Sequence, residues 1–159
     1  MKIVFSTKHV NRASFLDTCR FAYDYGFDGF EIYDAISERG KHHDSILRRD
    51  RVADAKRKLV NRNLSVSALS YPYSLESEDA SADALVKYVD MAANAGIANV
   101  IVRVENEISF DLLRERLDAA IRRAESTDVQ ILLETIGYLS NTEKIIDIIN
   151  FFWLHIRII

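Results

Sequence analysis

Short apolar runs alternate along this chain with longer stretches in which apolar residues return every three or four positions. The runs are Lys2–Ser6, Gly29–Tyr33, Ser65–Ser70, Asn99–Val104 and Val129–Glu134, and each predicts a strand. The stretches between them predict helices. Phe15, Cys19 and Ala22 form one stripe over Ala13–Tyr25, and a basic helix follows near Ser45–Asn61. Leu85, Val89 and Ala92 stack after Asp79, and Phe110, Leu113, Leu117, Ile121 and Ala124 stack after Ser109. Gly26 and Gly96 stand where left-handed caps close helices. Ser109 is an N-cap, and Ser140-Asn141-Thr142-Glu143 reads as a capping box for a last helix. Strand starts recur at intervals of about 30 residues, the length of a βα unit. Such connections force a parallel sheet covered by helices.

Two α/β architectures meet this description: a complete five-stranded open sheet, and part of a (β/α)8 barrel. The alternation within the strands separates them. One face carries Glu31 with Tyr33, Arg103 with Glu105, and Glu134 in phase with Leu132 and Gln130. The other carries Phe30 and Ile32, Val102 and Val104, Ile131 and Leu133. An open sheet covered on both sides buries those charges at several kcal/mol each unless they are paired. A barrel turns them toward its mouth, where parallel sheets gather their chemistry. The expectation is therefore a partial TIM barrel of about five βα units, its parallel strands in sequential order. Open-sheet signatures are absent: Ser6-Thr7-Lys8-His9 has no glycine for a phosphate loop, and the chain has no Walker A or Gly-x-Gly-x-x-Gly motif.

Composition narrows the class. At 159 residues, with 48% hydrophobic and 28% charged positions, a single folded domain over residues 1–152 is expected. The formal charge of −3 gives no global field for nucleic acid. Cys19 is the single cysteine and is expected in the core, which fits a reducing compartment. No targeting segment is visible. The apolar stretch Ile145–Ile159 is interrupted by Asp147, Asn150, His155 and Arg157, so no membrane span and a cytoplasmic location are expected. Residues 153–159 read as an atypical apolar tail, without a glycine cap or polar finish, and motivate the expectation of a truncation or frame shift near Phe152. A partial barrel with open edges is expected to self-associate, pair with a complementary fragment or dissolve poorly.

Glu134 is the sharpest chemical candidate. A carboxylate at a barrel strand's end can ligate a divalent cation or remove a proton next to a carbonyl. The alternative is an ion pair with Arg103 on the neighbouring strand. His9, just after the first strand, is within reach of the mouth. Tyr71 and Tyr73 flank Pro72 and either line a sugar site or pack at a strand end. His42-His43-Asp44 resembles a metal cluster, but adjacent residues rarely face one ion, and a solvated loop is the simpler reading. Arg48, Arg49, Arg51, Lys56, Arg57, Lys58 and Arg62, with Asp50 and Asp54 among them, read as a solvated helix face.

Three stretches carry a resemblance: Met1–Phe5, Gly26–Tyr33, and Ile131–Thr135 followed by Asn141-Thr142-Glu143. Together they resemble the sugar phosphate isomerase/epimerase family of xylose isomerase-like TIM barrels, related to endonuclease IV, from residue 1 to about 152. The resemblance implies that Glu134 matches the family's first metal-binding glutamate, also an acid/base group. It implies a divalent metal (Mn, Mg or Zn) and a small sugar or sugar phosphate as substrate, with Glu31, Arg103, Tyr71 and His9 shaping the pocket. The family's remaining ligands come from later strands, which are not in this sequence. The endonuclease branch has histidines after its third and fourth strands. Ser70-Tyr71-Pro72 and Arg103-Val104-Glu105 stand there in this chain, which points to the sugar branch. Two functional expectations follow: an isomerase or epimerase by descent, and a non-catalytic fragment or binding module.

Overall fold

A computed structural model of the chain describes residues 2–9, 13–33, 52–151 and 156–158. Strands and helices alternate: β1 (Val4–Ser6), α1 (Phe15–Asp24), β2 (Gly29–Tyr33), α2 (Val52–Val60), β3 (Ser65–Ser70), α3 (Ala82–Ala95), β4 (Asn99–Arg103), α4 (Phe110–Glu125), β5 (Gln130–Glu134), α5 (Thr142–Phe151) and β6 (Ile156–Ile158). One-turn 3-10 segments follow β1 at Thr7–His9 and β5 at Gly137–Ser140. The sheet order is β1-β2-β3-β4-β5-β6, with every pair parallel. Sequential order is that of a barrel wall and excludes the open doubly wound sheet.

The five expected strands are all present, and β6 adds one more. It lies in the stretch read as an irregular tail, with Ile156, Arg157 and Ile158 opposite Ile131, Leu132 and Leu133. Three residues are too few for an alternation to show in sequence. The basic helix is described from Val52 to Val60, and residues 34–51 lie outside the described residues.

The helix ends follow local chemistry. Ser14, Ser81 and Ser109 accept from the backbone N–H groups of Asp17, Ala84 and Leu112, satisfying donors that a helix start leaves without partners. Gly96 closes α3 at φ 64°, where a side chain is strained. The last helix differs slightly from expectation. Asn141, not Ser140, is its cap, accepting from the Glu143 N–H at 2.8 Å, while Ser140 Oγ donates back to the Gly137 carbonyl.

The period-two split holds through the sheet. Phe30, Ile32, Val100, Val102, Ile131 and Leu133 are fully buried beneath the helices, against Cys19, Leu85, Val89, Leu113 and Leu117. Glu31, Tyr33, Ile101, Arg103, Leu132 and Glu134 occupy the other face and are only partly buried. One irregularity intervenes. Phe30 pairs with Val66 but Glu31 pairs with Ala68, so Ser67 is an extra residue in β3. A bulge of this kind inverts the facing of everything beyond it. Leu69 therefore turns into the helix-covered core, and Ser70 shares the face of Glu31. The displaced backbone is satisfied locally: Ser67 Oγ donates to the Phe30 carbonyl, and Asn99 Nδ2 donates to the Ser67 carbonyl at 2.9 Å.

Candidate functional site

The inner face ends in a polar cavity of about 260 Å³ at the C-terminal ends of the strands. Ser6 and Lys8 come from β1 and its turn, Glu31 and Tyr33 from β2, Ser70 from β3, Arg103 from β4 and Glu134 from β5. The size is below the roughly 300–1,000 Å³ of drug-sized sites and suits a small molecule.

The two inner carboxylates differ. Glu31 is held from both sides: Ser6 Oγ donates to its Oε1 at 3.1 Å, and Ser70 Oγ donates to the same oxygen. Glu134 has no hydrogen bond or ion pair with any of the described residues, although its Cα lies opposite that of Arg103. It is half-buried at the cavity wall.

Arg103 is occupied elsewhere, so the alternative of a Glu134–Arg103 ion pair is not what forms. Its Nε donates to Glu105 Oε1 at 2.7 Å, its Nη1 to the Tyr71 carbonyl at 3.2 Å, and its Nη2 to Tyr33 Oη at 3.2 Å and the Pro72 carbonyl at 2.5 Å. Tyr33 Oη in turn donates to the Pro72 carbonyl, and the Tyr33 ring lies 5.6 Å from the guanidinium carbon. With its side chain 11% exposed, burial pulls Arg103 toward the neutral form. The bonds to Tyr33 and Glu105 outweigh this and hold its pKa above the ordinary value. Arg103 thus positions the loop after β3 rather than offering a free cation to the cavity.

A second tie joins that loop to the one after β4. Glu76 Oε1 accepts from the backbone and side-chain nitrogens of Asn106 at 2.9 and 3.1 Å, and Oε2 accepts from Ser74 Oγ. Burial alone raises the Glu76 pKa. Hydrogen bonds from Ser74, its own N–H and Asn106 prevail and hold the carboxyl below its usual range. Gly137, at φ 57°, closes the mouth from the β5 side: a Cβ there would stand 2.7 Å from the Glu105 Cα. Only glycine lets these two loops approach so closely.

The structure brings Glu31, Arg103 and Glu134 to one mouth. Tyr71 contributes its carbonyl; its ring is buried edge-on to Tyr88 and Tyr73, and its hydroxyl accepts from the Ser81 N–H at the start of α3. His9 ends the 3-10 turn after β1, and its side chain lies outside the described residues, as do His42, His43 and Asp44. Cys19 is in the core as expected, where burial pushes its thiol up to about 11. Sequence reasoning missed Ser6 and Ser70 as partners of Glu31, and Glu76 as a tie. Ser6 ends its strand in phase with the mouth and was open to discovery. Ser70 was hidden by the bulge.

A divalent metal needs several oxygen or nitrogen donors converging on one point. Among the described residues, no group of three or more His, Cys, Asp and Glu side chains is placed to hold one. Glu134 and Glu31 alone do not fit such a centre.

The profile of the xylose isomerase-like TIM barrel family matches residues 19–155, and the chain belongs to that family. No curated protein matches the chain significantly. Solved structures of the same fold include the probable 3-DHS dehydratase AsbF of Bacillus anthracis, involved in petrobactin synthesis. It has a TM-score of 0.70 and 16% identity over 99% of this chain and 62% of that one. The 3-keto-D-glucoside 4-epimerase YcjR of E. coli gives 0.71 and 17% over 99% of this chain and 67% of that one. IolI, solved with a zinc atom, gives 0.67 and 15% over 98% and 61%. The chain therefore spans about 62% of the length of AsbF. Among the described residues no helix is long and apolar enough to cross a membrane.

Proposed function

We propose that this chain binds a small sugar or sugar phosphate at the inner mouth and that Glu134 exchanges the proton next to the ligand's carbonyl group. The observation that carries the reading is Glu134 itself. It is a strand-end carboxylate at the wall of a polar cavity, with no partner among the described residues. A general base must be free to accept a proton and within reach of it. Glu31, with two hydroxyls on one oxygen, is the better ligand-orienting group. Family membership supports isomerase or epimerase chemistry, the activity named for YcjR. A buried, lone Cys19 accords with a reducing, cytoplasmic setting.

Proton abstraction moves the C–H electron pair toward the carbonyl oxygen and the proton to Glu134. Epimerisation then requires a proton delivered to the opposite face. Among the described residues no second unpartnered carboxylate lines the cavity. The expected activity is exchange of the substrate C–H with solvent, with little inversion. Proton NMR of fructose and fructose 6-phosphate in D₂O tests this: slow loss of the C–H signal in the wild-type chain, absent in Glu134→Gln, is expected.

A second reading, a non-catalytic binding module, is favoured by the missing metal donor set among the described residues. Sugar binding without any exchange supports it. Tight Mn²⁺ binding in a calorimetric titration of the chain contradicts it and restores metal-assisted isomerase chemistry.

A further inference from the structure

We propose that the ligand of this mouth carries an anionic group and that Lys8 receives it, a reading that rests on the sugar-binding function proposed above. Lys8 is the middle residue of the 3-10 turn that follows β1. It lines the same cavity as Glu31 and Glu134. Its N–H donates to Ser6 Oγ at 3.3 Å, which anchors its backbone to the residue that also holds Glu31. Its Nζ lies 5.4 Å from the centroid of the Tyr33 ring, and no carboxylate among the described residues is within ion-pair distance of it.

Tyr33 carries two cations. The Arg103 guanidinium carbon lies 5.6 Å from the same ring centroid, and Glu105 neutralises that charge at 2.7 Å. Among the described residues nothing equivalent neutralises Lys8. A ring quadrupole attracts an ammonium and fixes its place without cancelling its charge. Among the described residues, the carboxylate of the cavity without a partner is Glu134 on β5, across the inner face from β1. The mouth is therefore polarised: a cation on the β1 side, a free carboxylate on the β5 side, and Glu31 with its two hydroxyls between. A neutral sugar uses the hydroxyls and leaves the ammonium without a counter-charge. A sugar bearing a phosphate or carboxylate at one end and a carbonyl at the other matches both poles in one orientation, which brings the carbonyl end toward Glu134.

Calorimetric titration of the full chain with D-fructose, D-fructose 6-phosphate and D-glucuronate tests the assignment, in wild type, Lys8→Met and Lys8→Arg. Binding of fructose 6-phosphate or glucuronate tighter than fructose, by on the order of tenfold, is expected in wild type. The preference should collapse toward parity in Lys8→Met and persist in Lys8→Arg. Whichever anionic sugar shows the larger drop in Lys8→Met identifies the source of the charge. Equal affinity for fructose and both anionic sugars in wild type, or a preference that survives in Lys8→Met, overturns the role of Lys8 while leaving sugar binding intact. Absence of binding by all three overturns the proposed function, and the assignment with it.

Discussion

Arg103 and Glu134 stand directly opposite one another across β4 and β5, yet the guanidinium turns away and closes on Glu105. The diversion has a physical cause. The Tyr71 and Pro72 carbonyls and the Tyr33 hydroxyl together offer Arg103 more acceptors than one strand-end carboxylate does. A nearly buried guanidinium is stable only where its donors are met. The result leaves Glu134 without a partner among the described residues at the cavity wall.

Removal of Arg103 should therefore damage stability more than removal of Glu134. Arg103→Met takes the guanidinium donors from the Tyr71 carbonyl and the Glu105 carboxylate, leaves the Pro72 carbonyl only the Tyr33 hydroxyl, and is expected to lower stability by roughly 2–4 kcal/mol. Arg103→Lys keeps the charge but not the fork and should fall between. Glu134→Gln breaks no contact among the described residues and should change stability by less than about 0.5 kcal/mol. Urea unfolding of the three variants gives the ranking.

The same Glu134→Gln variant should lose carbonyl-adjacent proton exchange by a factor of about 10²–10⁴, the usual worth of a general base. A rate equal to wild type removes Glu134 from the chemistry.

Acid should loosen the mouth through Glu76. Its folded pKa is depressed, so its stabilising contribution is present above the unfolded carboxylate value of about 4.3 and is lost as pH falls through the folded value. Glu76→Gln should flatten this part of the stability profile. Hydrogen exchange of the Asn106 amide, which donates to Glu76, should quicken in the variant at neutral pH.

Alkali acts through the core. Cys19 rises from 9.0 to about 11 because its thiolate would be desolvated. A raised folded value means full stability below pH 9 and a decline as pH climbs toward 11. Cys19→Ala should blunt that decline, and the native thiol should resist a thiol-specific reagent at pH 8 until denaturant is added.

The β1 side of the wall exposes Ile3 and Val4 by 54% and 39%. Such an edge favours association between copies. Sedimentation velocity should show a weight-average mass that rises with concentration; a monomer at all concentrations would refute this.

The architecture was legible because helix and strand periods separate cleanly here. Phe15–Cys19–Ala22 and Leu113–Leu117–Ile121 could belong only to helices, and the charged phase of β2, β4 and β5 pointed to a mouth. The pairing of Arg103 with Glu105 lay in plain view two residues apart on one face. Three features were hidden. Tyr71 borders the cavity, but the place of its ring, edge-on to Tyr73 and Tyr88, and of its hydroxyl at the start of α3 is set by tertiary packing. The three-residue β6 left no period to read. The Glu31–Ser70 contact depends on an irregularity that composition does not encode.

That irregularity, Ser67, acts as a frame marker within β3. Upstream of it the strand is in one phase with β2, and downstream it is in the other. Pairing the strand residue for residue from Val66, with Ser67 taken into the ladder, would set Leu69 opposite Tyr33 on the inner face, trading a hydroxyl for an isobutyl group and sending Ser70 into the hydrocarbon interior. Leaving one serine out of the ladder thus decides whether the third strand presents polarity or grease to whatever enters.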